Sequence, residues 1–142
     1  MTSFDDIVAD FAFLEDWDER YKYLIDLGRG LPEFPEAQRN DATKVRGCAS
    51  QVWLHHETGP SETDPSVNVI TFIGDSDAHI VKGLVAVVLA LYNGKTASEI
   101  RALNAGDAMA PLALEGHLTP QRTNGLAAMT KRIQAIAETE AV

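Results

Sequence analysis

The chain holds one cysteine, Cys48, in the stretch VRGCASQVWL at residues 45–54, with Gly47 and Ala49 beside it and Lys44 and Arg46 just upstream. A thiol does chemistry as the thiolate, and its surroundings set how much thiolate there is. Gly47 permits a backbone angle that other residues avoid, and small Ala49 leaves room for a partner to approach. Lys44 and Arg46 would favour the charged form. The bland reading stands beside this one: a lone cysteine is commonly an inert filler of a core gap.

The other candidates for chemistry are weaker. His55 and His56 fall in a strand-like run, His79 at the start of an apolar helix and His117 just before a last helix. None has the HExxH or Cys-x-x-Cys spacing of a metal site, so no metal is expected. A Cys–His pair for acyl transfer needs the two in contact, which no spacing here specifies. Arg122, in LTPQRTNGL, stands in the first turn of the last helix, where the helix dipole disfavours a cation. It reads either as a solvated or ion-paired arginine or as a group that holds an anion. Asp77 is most simply a helix cap and otherwise a site carboxylate.

These residues need elements to place them. Ser3 can cap a first helix carrying Phe4, Ile7, Phe11 and Leu14 on one face, and Asp16 with Glu19 can cap a second along Trp17, Tyr21 and Leu24. Gly28 and Gly30 are expected to stop that helix, and Pro32 and Pro35 to keep the next stretch extended. From Ser50 the period changes to two. Val52 and Leu54 face one way and Trp53 and His55 the other, and VNVITFI at 67–73 alternates in the same manner. The polar GPSETDPS at 59–66 joins the two as an antiparallel hairpin. Ser76 or Asp77 then caps a helix that is apolar nearly all round, which makes it central and buried. Thr96 and Glu99 form a capping box for a short helix, and Thr119-Pro120 opens a long one with Leu126, Met129, Ile133 and Ile136 inside. The order ααββααα reads as α+β: a small antiparallel sheet covered on one face by helices.

Composition narrows the function classes. At 142 residues the chain has the length of one domain, residues 1–142, with 45% hydrophobic and 23% charged residues, as in a globular protein. One cysteine cannot make an internal disulfide, and with no secretory leader in MTSFDDIVADF a reducing cytoplasm is the expected compartment. The longest charge-free apolar stretch, residues 83–94, is too short to span a bilayer. The net charge is −9, and residues 1–41 carry eleven acids against four bases. Such a chain is a poor nucleic-acid binder, because phosphate contacts need clustered lysine and arginine. The acidic part serves solubility or steers the chain towards a basic partner.

Three blocks then carry a resemblance: VRGCASQVWL at 45–54, GDSDAHIVKGLVAVVLALYNGKT at 74–96 and HLTPQRTNGLAAM at 117–129. In their order and spacing they resemble the SufE family, the sulfur-acceptor proteins that work with cysteine desulfurases in iron–sulfur cluster assembly. The resemblance runs through nearly the whole chain and implies an α+β fold shared with IscU-type scaffolds. It implies that Cys48 accepts a sulfane sulfur from a desulfurase persulfide, stimulates the desulfurase, and hands the sulfur to a cluster scaffold complex. It implies no bound cofactor, since the pyridoxal phosphate belongs to the desulfurase. By the same carry-over, Val45, Gly47, Ser50, Gln51 and Trp53 shape the thiol loop and its strand. Arg46, Asp77, Lys82, Arg122 and Asn124 are candidates for the surface around the thiol. Two readings of other classes compete: a regulatory module that docks on a desulfurase without accepting sulfur, and a stand-alone thiol peroxidase, which usually wants a second, resolving cysteine. Monomer and homodimer both remain open.

Overall fold

The computed structural model describes residues 2–114 and 116–140. Two helices open the chain, α1 (Phe4–Phe13) and α2 (Trp17–Arg29). Ser3 caps the first by accepting from the Asp6 N–H, and Asp16 caps the second by accepting from the Asp18 N–H. The side chain of Arg20 turns back across the junction, donating to the carbonyls of Leu14 and Phe11 at 2.9 and 2.8 Å. It thereby satisfies the C-terminal carbonyls of α1 that helix geometry leaves without partners.

Gly28 does not stop α2. The helix runs on to Arg29, with Gly30 as its C-cap. Gly28 instead lies where α2 crosses α3 (His79–Tyr92): a Cβ on Gly28 would stand 2.7 Å from the Gly83 nitrogen, and one on Gly83 would stand 2.2 Å from the Leu24 carbonyl oxygen. The two backbones meet with no side chain between them, which is the physical demand for glycine on both. Helix α3 is the centre of the molecule, with ten buried residues including Leu84, Val85, Val87, Val88 and Leu89. Its N-cap is Ala78 with no side-chain cap bond, so neither Ser76 nor Asp77 plays the expected capping part.

β1 (Val52–Pro60) and β2 (Asn68–Ser76) pair antiparallel, with Val52 opposite Ser76 and Pro60 opposite Asn68. Val52, Leu54, Ile70 and Phe72 are buried, on the face that α3 covers. Both strands are longer than the alternation suggested. Pro60 fits at the last residue of β1, where no ladder bond is asked of its missing N–H. The hairpin's outer edges are also met. Val45 N–H donates to the Val52 carbonyl at 2.8 Å and Leu54 N–H to the Thr43 carbonyl at 2.8 Å. On the far side Ile70 N–H donates to the Lys95 carbonyl at 2.9 Å, and the Asn93 side chain both gives to and takes from the Phe72 backbone.

Three helices come after α3: α4 (Ala97–Ala102), α5 (Ala105–Met109) and α6 (Pro120–Glu140). The Thr96–Glu99 capping box is formed as its spacing predicts. The five-residue α5, capped by Asn104, is an addition to the expected order and too short to show a helical period. Met129, Ile133 and Ile136 of α6 are buried and Leu126 is half-buried. The architecture is α+β: among the described residues, six α-helices with a two-stranded antiparallel sheet.

Candidate functional site

Cys48 occupies a short loop, residues 46–51, between the edge segment 43–45 and β1. The loop is pinned at both ends. At its base are the Val45–Val52 bond and the bridge between Lys44 and Trp53. At its far end the Gln51 N–H donates to the Asp77 carboxylate at 3.0 Å, and the Asp77 N–H donates back to the Gln51 carbonyl at 3.3 Å. Gly47 has φ 90°, a left-handed angle that an L side chain rarely adopts, and this turns the chain so that Cys48 faces α6. Arg132, further along α6, donates to the carbonyls of Lys44 and Ala42 and fixes the segment ahead of the loop.

The thiol lies half-buried against α6. Its S–H donates weakly to the Gly125 carbonyl at 3.7 Å, and a Cβ on Gly125 would stand 3.5 Å from the sulfur. Around it is a cavity of about 230 Å³ whose walls include Val81 and Leu84 from α3, and Arg122, Leu126 and Met129 from α6. Arg122 is the one charged side chain among the lining residues described. Burial pushes the Cys48 thiol above its ordinary pKa, and no cation contributes to the shift. Of the two cations expected to favour the thiolate, Arg46 is exposed, where a charge is screened.

The residues singled out from the sequence therefore divide. Ser50 and Arg122 line the cavity with Cys48. Val45, Gly47, Gln51 and Asp77 shape the loop through backbone bonds and backbone angle. Asn124 is exposed and outside the cavity lining. Trp53 meets the loop's base through its backbone bridge to Lys44, while its side chain and that of Lys82 belong to a different cluster. The Arg39 guanidinium sits 4.6 Å over the Trp53 ring and 5.3 Å from that of Phe34, and donates to Asp75 at 2.8 Å. Lys82 reaches the other Asp75 oxygen at 3.4 Å. Burial works to raise the Asp75 pKa, but hydrogen bonds from Arg39 and the Ser76 backbone, with the charges of Lys82 and Arg39, hold it below the ordinary carboxylate value.

No histidine lines the cavity. His56 pairs with Glu140 at 3.3 Å, His55 approaches Glu57 at 3.7 Å, and His117 stacks on Trp17. The Cys48 hydrogen bond among the described residues goes to the Gly125 carbonyl, and none goes to a histidine. Among the described residues no group of three or more His, Cys, Asp and Glu is placed to hold a metal ion, and no helix is long and apolar enough to cross a membrane. Sequence reasoning missed Gly125, although it stands three residues after Arg122 and so on the same helix face. It also missed Arg39, Asp75 and Arg132, whose partners are remote in sequence.

The fold is that of a small α+β protein, with one half-buried thiol lining a cavity between the loop at residues 46–51 and helices α3 and α6. Comparison gives that class its family. A family model described as SufE, Fe-S metabolism associated domain, matches residues 5–137, and the chain belongs to this SufE family. It is 55% identical over 139 residues to an uncharacterized SufE-like protein of Rhizobium meliloti (strain 1021), covering 97% of this chain and 96% of the relative. It is 52% identical over 142 residues to an uncharacterized SufE-like protein of Rhizobium etli, covering 99% and 93%. The solution structure of a hypothetical protein from Thermus thermophilus superposes with a TM-score of 0.74, covering 96% of this chain and 94% of that one. At 18% identity, that likeness concerns the fold.

Proposed function

We propose that this chain is a sulfur carrier of Fe-S metabolism. Cys48 takes a sulfane sulfur from the persulfide of a cysteine desulfurase, stimulating that enzyme, and passes it to an iron–sulfur cluster scaffold complex in a reducing cytoplasm. The observation that carries the reading is the position of Cys48, half-buried at a cavity lined by both apolar and polar residues, whose one described charge is Arg122.

The exchange balances without an added oxidant. The Cys48 thiolate attacks the outer sulfur of the donor persulfide, a new S–S bond forms, the donor's S–S bond breaks, and the donor's thiolate leaves. Cys48 then carries the outer sulfur as its own persulfide. The pyridoxal phosphate that takes sulfur from cysteine belongs to the desulfurase, and this chain supplies the acceptor thiol, the loop and the cavity beside it. Arg122 is suited to hold the anionic persulfide through charge-assisted hydrogen bonds.

The test is the intact mass of the protein after incubation with a cysteine desulfurase and free cysteine, repeated after reduction. The expected result is a gain of one sulfur atom that reduction removes and that Cys48→Ser never shows. No gain in the presence of a bound desulfurase would end the carrier reading.

One observation favours a second reading, a module that regulates a desulfurase without carrying sulfur. The free thiol is not activated, since burial raises its pKa. A Cys48→Ser variant separates the two. As a carrier it loses stimulation of desulfurase turnover while still binding, and as a docking module it keeps both.

A further inference from the structure

Two contacts join helix α2 to His117, three residues ahead of α6. The His117 ring lies on the Trp17 indole with centres 3.9 Å apart and planes 12° from parallel. The Tyr21 hydroxyl, one turn further along α2, donates to the His117 carbonyl 96 residues away in the chain. The connection into His117 bends sharply, with left-handed backbone at Ala113 (φ 50°) and Gly116 (φ 84°). Two residues beyond His117 is Thr119, whose hydroxyl accepts from the Arg122 N–H at 3.3 Å. Thr119, just ahead of α6, and Gln121, Arg122 and Gly125 in its first turns line the thiol cavity.

His117 is exposed, so the need to bury an apolar ring does not account for the stack. Its geometric effect falls on the next few residues of the chain. Where His117 is held sets where Thr119 starts α6, and that sets how closely the wall stands over Cys48. We infer that His117 is a positioning residue for the thiol: stacked on Trp17, it holds the first turn of α6 against the cavity. Loss of the stack frees that turn to move outward as a local opening, leaving the buried half of α6 in place. The inference rests on the reading of Cys48 as the reacting group, but its test requires no sulfur transfer.

The experiment is the rate of Cys48 alkylation by iodoacetamide, an uncharged probe, followed by intact mass in a chain with a single cysteine. His117→Ala is expected to react about two- to tenfold faster than the native chain, the range set by what an aromatic pair contributes. His117→Phe, which can stack, should return the rate to the native value. Tyr23→Phe is the control for general loosening: it removes a 2.6 Å hydrogen bond to Asp10 elsewhere on α2 and should leave the rate unchanged. The inference is overturned if His117→Ala reacts at the native rate, if His117→Phe is as fast as His117→Ala, or if Tyr23→Phe accelerates alkylation equally. Native alkylation kinetics that respond to His117 as expected, together with no sulfur gain from a desulfurase, would sink the carrier reading and leave this one standing.

Discussion

Cys48 is removed from water on the side that faces α6 and open on the other, and the two halves of that position act against each other. Withdrawal of solvent disfavours the thiolate, while access lets a reagent reach whatever thiolate there is. The rate of Cys48 alkylation as a function of pH is therefore expected to reach its midpoint above the ordinary thiol value of about 8.5. A midpoint below it would mean that a cation governs the site. Stability responds in the same sense, because the folded chain holds the thiol proton more tightly than the unfolded chain. The contribution is complete below the ordinary thiol pKa and is lost as pH rises through the raised one. Asp75 behaves in the opposite sense. Its folded pKa is lowered, so its contribution is complete above the ordinary aspartate range and is lost as pH falls through the lower value. Urea midpoints of Asp75→Asn should accordingly lie below the native midpoints at neutral pH, with the gap closing in acid. A constant gap would show that the carboxylate's charge is not what Arg39 and Lys82 hold.

The loop and the helix crossing are features of elements rather than of single side chains. Asp77 holds the loop through the Gln51 N–H, so Asp77→Ala should cost about 1 kcal/mol and increase protease cleavage within residues 46–51. Unchanged cleavage would place the loop's restraint elsewhere, at the Val45–Val52 end. At the crossing of α2 and α3, Gly83→Ala would set a methyl group 2.2 Å from the Leu24 carbonyl. The backbones must then separate, at an expected cost of about 3 kcal/mol in the urea unfolding free energy. The period-2 run after Ser50, the caps at Ser3, Asp16 and Thr96, and the apolar circumference of α3 were all legible in the sequence, because each is a local pattern. Gly28 was misread because a glycine that ends a helix and one that lets a second helix approach look the same in one dimension. The pairing of Arg39 with Asp75, and of Arg132 with the carbonyls of residues 42 and 44, left no trace, since these contacts exist only once distant segments have met. For the site itself, VRGCASQVWL marked the thiol and LTPQRTNGL the arginine that shares its cavity. The same reasoning did not see the pairing of Lys82 with Asp75.

Over the whole molecule, α6 is the member that ties the parts together. Near its start it carries the cavity wall, in its middle Arg132 holds the segment before the thiol loop, and at its end Glu140 accepts from Thr58 at 3.1 Å and pairs with His56 on the hairpin. Hairpin and helices share one buried cluster, so they are expected to unfold as a unit. Helix loss monitored by circular dichroism and the change in tryptophan fluorescence, with Trp17 on α2 and Trp53 on β1, should give superimposable urea curves. Separate midpoints would divide the hairpin from the helical layer. A last consequence comes from the edge segments at Thr43–Val45 and Asn93–Lys95. They already occupy backbone groups of Val52, Leu54, Ile70 and Phe72, so an extended peptide cannot join the sheet along those residues. A carrier docking as proposed would then be met at its thiol face through side-chain shape and charge, and its partner could arrive and depart without unzipping a strand.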